Sequence, residues 1–484
     1  MDDTSARVFP VRETEATGDT LLPRRQEVSP RRARARARVA ARRNALTVVV
    51  PIQSDPEGCW RLETVLKEIG QDIRRNPHIS FQALRATHFL RWVIVPGRDR
   101  RMLALEANFD GSVGEFLDDL IQVAGKTLKE SLYCHCEPAI QREDPDEALK
   151  GYLLDHALPE SLFYRGYPGL TVESIENDAR VRALTNEYLD LPRKGRWKSA
   201  SQLQEDIRRY LERADPMPRL DPEPVPWKTR LMRTRFVRTL LGGLSLPVGI
   251  PLGLALLAHE GVDVMKEKVK ARLGRRSPVL HAYGDEDARR LGELLVREDF
   301  QAQNQLTHVV DLKPGLLRVP LIKLAFRYWG YLATYYFDEG KLGGIEGIHF
   351  ARWVLVKDRR QHGKRRLLRR AKYQVLFFSN YDGSWESYLG SFVDRASIGL
   401  TTIWCNTVGF PRTRLWLRPF RLELGADREE AFKQWVRQHQ VPTQAWFSRH
   451  PDKSIGNIVN NREIRSKVRA RMSPERTREW LLCL

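Results

Sequence analysis

The chain has 484 residues, with 81 Lys and Arg against 61 Asp and Glu, a formal charge of +20. That length holds roughly two to four domains and a sizeable core, which excludes a mini-protein dependent on disulfide or metal staples. Five cysteines at irregular positions exclude a disulfide framework and favour a reducing, cytoplasmic setting, and the acidic opening MDDTSARVFP lacks the apolar stretch of a secretory signal.

Residues 1–44 read as a disordered basic arm, because the stretch 24–43 holds nine arginines, one acid and no apolar period. A first module follows at 45–191. It opens with an apolar strand (46–52) and a helix over 57–75, whose Trp60, Leu62, Val65, Leu66, Ile69 and Ile73 recur at helical spacing. Two β-rich runs, 87–95 and 102–109, flank a charged turn and form a hairpin. Ser112 with Glu115 is a capping box for a helix over 112–125. LYCHC (132–136) reads as a strand, and Cys134-His135-Cys136 is too tight for a zinc half-site. A helix (146–157), a strand (161–167) and a closing helix (171–189) complete the module.

Residues 192–300 read as a linker, with a helical stretch at 201–213 and prolines at 216, 218, 222, 224 and 226. Within it, 240–258 (LLGGLSLPVGIPLGLALLA) is nineteen residues without a charge, close to the length of a bilayer span. Pro247, Pro251 and basic residues on both flanks favour a re-entrant or monotopic hairpin, and a buried hairpin is the alternative. The second module, 301–470, is predicted as strand 306–311, helix 315–337, strands 348–356 and 372–379, helix 384–397, strand 400–406, helix 427–439, strand 443–449 and helix 454–469. Its first helix, with aromatic residues beside Arg318, Lys323 and Arg327, suits a lipid headgroup region or a domain contact. Residues 471–484 read as a tail.

The two modules are copies. HFLRWVIV (88–95) matches HFARWVLV (349–356), NFDGS (108–112) matches NYDGS (380–384), LTVVVP (46–51) matches LTHVVD (306–311), and 154–182 aligns without gaps on 437–465. The fold class is therefore α+β, two tandem ferredoxin-like units of βαββαβ order with an added αβ pair. Packing sheet on sheet would leave a central cavity; a side-by-side pair is the alternative. Period two places His349 with Trp353 and Phe350 with Arg352 on opposite strand faces, as it does His88 with Trp92 and Phe89 with Arg91. Arg91 and Arg352 either line a cavity as donors to an anionic or oxygen-rich ligand or pair each with an acid of its own module, such as Asp110 or Asp382, as a repeated ion pair. The Asn-aromatic-Asp-Gly-Ser element suits a turn and a helix cap.

Tandem ferredoxin-like modules with an Asp-Gly turn near an arginine resemble the α+β-barrel superfamily of dye-decolourising peroxidases and chlorite dismutases. The peroxidases carry Gly-x-x-Asp-Gly; here the windows are 107–111 and 379–383, with Ala107 and Ser379 at the leading position. The resemblance implies haem as cofactor, Asp382 or Asp110 as distal acid-base group, Arg352 or Arg91 as charge stabiliser, and His439 as iron ligand, with His156 at the same place in the first copy. Asn380 and His349 join the implied cofactor surroundings. The function implied is a membrane-associated, peroxidase-like oxidoreductase acting on an apolar substrate between the modules. Alternatives are a non-catalytic membrane-surface scaffold and a cofactor-free monooxygenase of the same fold. An anionic membrane surface suits the basic arm. No motif for specific nucleic-acid recognition is present, and homo-oligomerisation is open.

Overall fold

The computed structural model describes the chain except residues 1–28, 98–99, 193–198, 222–230, 232–233, 274–284, 316, 336–340, 358–372 and 418–419. In chain order the first half runs α1 (Pro30–Ala40), β1 (Arg43–Pro51), α2 (Pro56–Gln71), β2 (Thr87–Val95), β3 (Met102–Ser112), α3 (Val113–Thr127), α4 (Asp146–Asp155), β4 (Ala157–Leu158), β5 (Leu162–Arg165) and α5 (Val172–Asp190). Helices α6 (Ala200–Glu212), α7 (Arg235–Arg272) and α8 (Asp285–Leu295) connect the halves. The second half runs β6 (Gln303–Asp311), α9 (Arg318–Tyr335), β7 (Lys341–Leu342), β8 (Ile345–Glu346), β9 (Ile348–Lys357), β10 (Tyr373–Asp382), α10 (Trp385–Trp404), β11 (Arg414–Leu417), β12 (Phe420–Glu423), α11 (Glu429–His439), β13 (Ala445–Ser448), α12 (Ile455–Val468) and α13 (Pro474–Leu481).

The fold is α+β with two antiparallel sheets, ordered β13-β2-β3-β1-β4 and β5-β9-β10-β6. Each sheet takes one strand from the other half. β5 pairs with β9, matching Leu162 to Trp353 and Phe163 to Arg352, while β13 pairs with β2, matching Ala445 to Trp92 and Trp446 to Arg91. The two registers are equivalent, so the sequence repeat is also a repeat of pairing. Because alternate strand residues point to opposite faces, each sheet buries both. Leu46, Val48, Leu103 and Leu105 pack under α2, α3 and α4 on one side. On the other side Val49, Val93 and Ala104 meet Val309, Val354 and Phe378 of the second sheet. The second sheet is backed by α9, α10 and α11 through Leu306, Trp353, Phe377, Phe326, Trp404 and Trp435.

Several expected elements differ. LYCHC is not a strand: the chain leaves α3 through a π turn at Leu128–Leu132 and a short 3-10 turn, burying Leu128 and Leu132, and only Cys136 bridges to Ile52. The expected strand at 400–406 is the end of α10, where the hydroxyl of Thr402 donates to the Ile398 carbonyl, so β-branched residues sit in a helix. Part of the basic arm is ordered as α1. Ser29 caps it, alternating Ala and Arg favour a helix, and Arg32 and Arg36, one turn apart, both bind Asp155. Residues 24–28 and the prolines at 222, 224 and 226 lie outside the described residues. The tail is held by α13, whose Trp480 is fully buried against Ile464 and Val468. Residues 240–258 form one continuous helix within α7 instead of a hairpin.

The Asp-Gly turns open both α3 and α10. Gly111 and Gly383 have φ of +84° and +77°, a conformation L side chains rarely adopt. A Cβ on Gly383 would meet no atom within 4 Å, so a substitution there acts through the backbone alone. Gly383→Ala is expected to lose about 1 kcal/mol and Gly383→Asn less, because Asn tolerates the left-handed region. Denaturant midpoints check the order.

Candidate functional site

Arg91, Arg352, Asp110, Asp382, His349 and Asn380 meet at the seam between the sheets, whereas His439 and its counterpart His156 do not. Arg91 and Arg352 are fully buried, and each reaches into the opposite half. Arg91 donates to the Leu306 and Ser379 carbonyls at 3.1 Å, to Thr307 Oγ1 at 3.2 Å, to Gln305 Oε1 at 3.1 Å and to Asn380 Oδ1 at 2.6 Å. Arg352 donates to the Leu46 and Ala107 carbonyls at 2.7 Å, to Thr47 Oγ1 at 3.0 Å and to Asn108 Oδ1. The partners are the same repeat positions, exchanged. Neither arginine pairs with Asp110 or Asp382; Arg91 pairs with a different acid of its own module, while Arg352 reaches across to the same acid, so the ion pair is not repeated. The carboxylate they share is Glu106, 1% exposed, 2.9 Å from Arg91 Nε and 3.0 Å from an Arg352 terminal nitrogen. In the second copy this position is Phe378, and the Arg91 guanidinium lies 5.7 Å from its ring centre. Burial pushes the Arg91 pKa down, and the charge of Glu106 opposes that shift.

Asp110 and Asp382 serve the turn and the closing helices. Asp110 sits 3.0 Å from His88 Nε2 and accepts from the Val172 amide at 2.7 Å. Asp382 sits 2.7 Å from His349 Nε2 and accepts from the Ile455 amide at 2.7 Å. Each carboxylate therefore holds its own module's histidine and caps the first turn of α5 or α12, where unsatisfied N–H groups and the helix dipole favour an anion. Burial raises the Asp110 pKa, but His88, the Val172 amide and Arg165 outweigh it and hold it low; burial lowers that of His88. The rings alternate across the seam: Phe89 meets Phe350 at 5.6 Å, His88 meets Phe350 at 5.4 Å and Phe89 meets His349 at 5.5 Å. Phe109 and Tyr381 stack on Phe116 and Tyr388 at 4.2 and 3.9 Å. Every residue of Asn-aromatic-Asp-Gly-Ser has a structural task, in both copies.

His439 lies elsewhere. Its Nδ1 bonds the Trp435 carbonyl at 2.9 Å, as His156 bonds that of Tyr152 at 2.9 Å, and its ring is 5.6 Å from that of His308. His308 pairs with Phe377 and Asp382 with Gln303, so five strand residues, about 17 Å, separate the two regions. The cavity beside His308 has about 20 Å³, whereas sites for organic ligands need roughly 300–1,000 Å³. Both carboxylate oxygens of Asp382, the terminal nitrogens of Arg352 and the side-chain oxygen of Asn380 are engaged by protein groups, and the strand separation keeps them away from His439. The residues that the resemblance groups around haem are not brought together, so the arrangement does not fit that group.

Glu106 was not singled out in the sequence, and Asn108 was read there only as part of the turn element. The signal was an acid and an amide two apart within the apolar run MLALEANF, sharing one strand face. A second feature lies outside the seam: Thr239–Lys266 of α7 is, among the described residues, the one helix long and apolar enough to cross a membrane, and 17% of its most apolar window is buried. Ser245, Leu252, Leu256 and Glu260 form its docked stripe. Gly249 lets it approach Tyr328 of α9, and Arg318 binds Asp263 at 2.5 Å. Leu244, Ile250 and Leu254 are 63%, 57% and 62% exposed.

No family model, curated protein or solved structure matches the chain. What the fold and seam define is an α+β protein built from an internal duplication.

Glu106→Gln leaves two buried guanidinium groups without their anion and is expected to cost about 3–5 kcal/mol. Glu205→Gln, which removes an exposed partner of Arg208 and Arg209, serves as the control and should leave the unfolding midpoint in place. A pH effect follows from His450, which occupies the repeat position of Tyr167. Burial, with His88, Lys453 and Arg449 nearby, pushes its pKa down from 6.5 to about 3. The unfolded state then binds a proton that the folded state refuses between those values, so stability is full above pH 6.5 and falls with acidification. The slope approaches about 1.4 kcal/mol per pH unit for one proton. Unfolding of His450→Tyr, measured between pH 7 and 5, should show a shallower slope.

Proposed function

We propose that the protein is a non-catalytic scaffold of the membrane surface: two ferredoxin-like modules packed as an α+β barrel and held on an anionic bilayer by α7. The observation that carries this reading is the outward face of α7. A soluble protein rarely leaves so long an apolar stretch uncovered. The docked stripe runs from Ser245 to Glu260, so the helix lies along the second half while its opposite side carries Leu244, Ile250 and Leu254. That geometry suits a helix lying flat in the interface, with its apolar side about 5–10 Å into the acyl boundary, more than a span that would need lipid on every side. The exposed Lys266 and Lys268 near its end suit anionic headgroups.

What supports the non-catalytic part is the engagement of the paired residues: each carboxylate is held by a histidine and a helix-end amide, and each guanidinium by acceptors of the opposite half, which commits them to the fold and not to acid-base chemistry. The duplicated motif is explained by folding alone.

The test is flotation of the full chain with vesicles of phosphatidylcholine and phosphatidylserine. Leu244→Gln, Ile250→Gln and Leu254→Gln combined spare the docked Leu252 and Leu256, so the fold should survive. The wild type is expected to float in low and high salt and the triple variant to stay in solution. Equal flotation of both, or flotation of the wild type abolished by salt alone, would overturn the reading, the latter by assigning binding to the basic residues.

A further inference from the structure

Helix α9 is the counterpart of α2, and the two can be set position against position. In the register that matches LTVVVP with LTHVVD, the buried Leu62 and Leu66 of α2 fall on the buried Ile322 and Phe326 of α9. The inner faces are alike, and the outer faces are not. On α2 the outer face is built for water: Glu57 pairs with Arg61 at 2.5 Å, Glu63 with Lys67 at 3.0 Å and Glu68 with His78 at 3.1 Å. In the second copy the positions of those three acids hold Leu317, Lys323 and Tyr328, and that of Lys67 holds Arg327.

Lys323 and Arg327 are exposed, and neither has an ion-pair partner among the described residues. Two like charges one turn apart repel, where the first copy has an attractive pair, so the fold alone gives no reason for the exchange. Leu317 and Leu324 beside them are 63% and 39% exposed. Helix α9 also lies next to α7: Ile322, Phe326, Leu252 and Leu256 share one core, and the Tyr328 hydroxyl is 3.4 Å from Ser245 Oγ. Arg327 precedes that contact by one residue. The unpaired cations therefore stand beside the helix whose apolar side is uncovered.

We propose that the outer face of α9 is the anionic-lipid site of the protein, with Lys323 and Arg327 on the phosphates of anionic headgroups and Leu317 and Leu324 in the lipid beside α7. This rests on the reading of α7 as a surface helix and adds the element that selects charge. A guanidinium offers a phosphate two parallel donors and an ammonium offers a point charge. Cations next to exposed apolar side chains match the boundary where headgroups meet acyl chains. An acidic protein surface would satisfy the two cations but leave the α7 face next to them in water.

The full chain is titrated with vesicles of phosphatidylcholine alone and of phosphatidylcholine with phosphatidylserine, and the bound fraction is read by flotation. Lys323→Glu restores the acid and cation pairing of the first copy, now with Arg327, so the helix should keep its fold. Lys126→Glu makes the same change of net charge at an exposed position of α3, behind the other sheet. The wild type and Lys126→Glu are expected to bind the phosphatidylserine vesicles about tenfold or more tightly than the neutral ones. Lys323→Glu is expected to lose most of that preference while binding neutral vesicles as the wild type does. An undiminished preference in Lys323→Glu overturns the proposal, and so does an equal loss in Lys126→Glu, which assigns the preference to net charge. Wild-type binding that ignores phosphatidylserine also overturns it and leaves the reading of α7 standing. Absence of flotation on either vesicle overturns both and turns attention to an acidic protein partner.

Discussion

Two guanidinium groups taken out of water need fixed acceptors, and here the acceptors belong to the other half of the chain. Arg91 draws on Leu306, Thr307, Ser379 and Asn380, and Arg352 draws on Leu46, Thr47, Ala107 and Asn108. One carboxylate, Glu106, stands against two cations, so the balance rests on main-chain oxygen. Carbonyl oxygens are available only where both strands hold their register, which makes the seam intolerant of a slip in either sheet. The exchange extends outward: Arg465 binds Asp178 of α5, while Arg182 donates at 3.3 Å to Asn461 of α12. These are again matched positions, with an amide where its counterpart is an acid. The copies have diverged in charge while keeping the geometry.

Much of this was legible because a repeat is visible without knowing what it builds. The paired HF-x-RWV strands, the capping box at Ser112 and the closing helices fall where periodicity places them. What each conserved-looking residue does was not legible, since Arg91 and its acceptors are separated by 214 to 289 positions. Local spacing carries no information about a partner that far away. The same holds for β5 and β13, which read as ordinary strands and gave no sign of which sheet they would join. Short apolar runs failed for another reason. LYCHC and 400–406 offer five and seven residues of mixed propensity, and burial of Leu132 and of Trp404 against helices decided the outcome.

Asymmetry between the copies is where function has room. The first copy closes its core with Val48 and Phe109 and docks a basic helix on Asp155. The second has His308 and Tyr381 at the matched positions, and the connecting helix α7 docks along it. A polar side chain buried without a partner and an apolar face left in water are both unfavourable in an isolated soluble domain. The second half carries both, where the first copy has the aliphatic Val48 and, among the described residues, no apolar helix of that length.

The traded strands also bear on synthesis. β2 acquires its outer neighbour only when Ala445–Ser448 has been made, some 350 residues after Val95. At about 5–20 residues per second, that strand edge waits on the order of 20–70 s on the ribosome. An unpaired edge is a template for pairing with any other chain. During that interval the nascent first half is open to association with its neighbours on the same message, and the fused second copy is the strand donor that ends it.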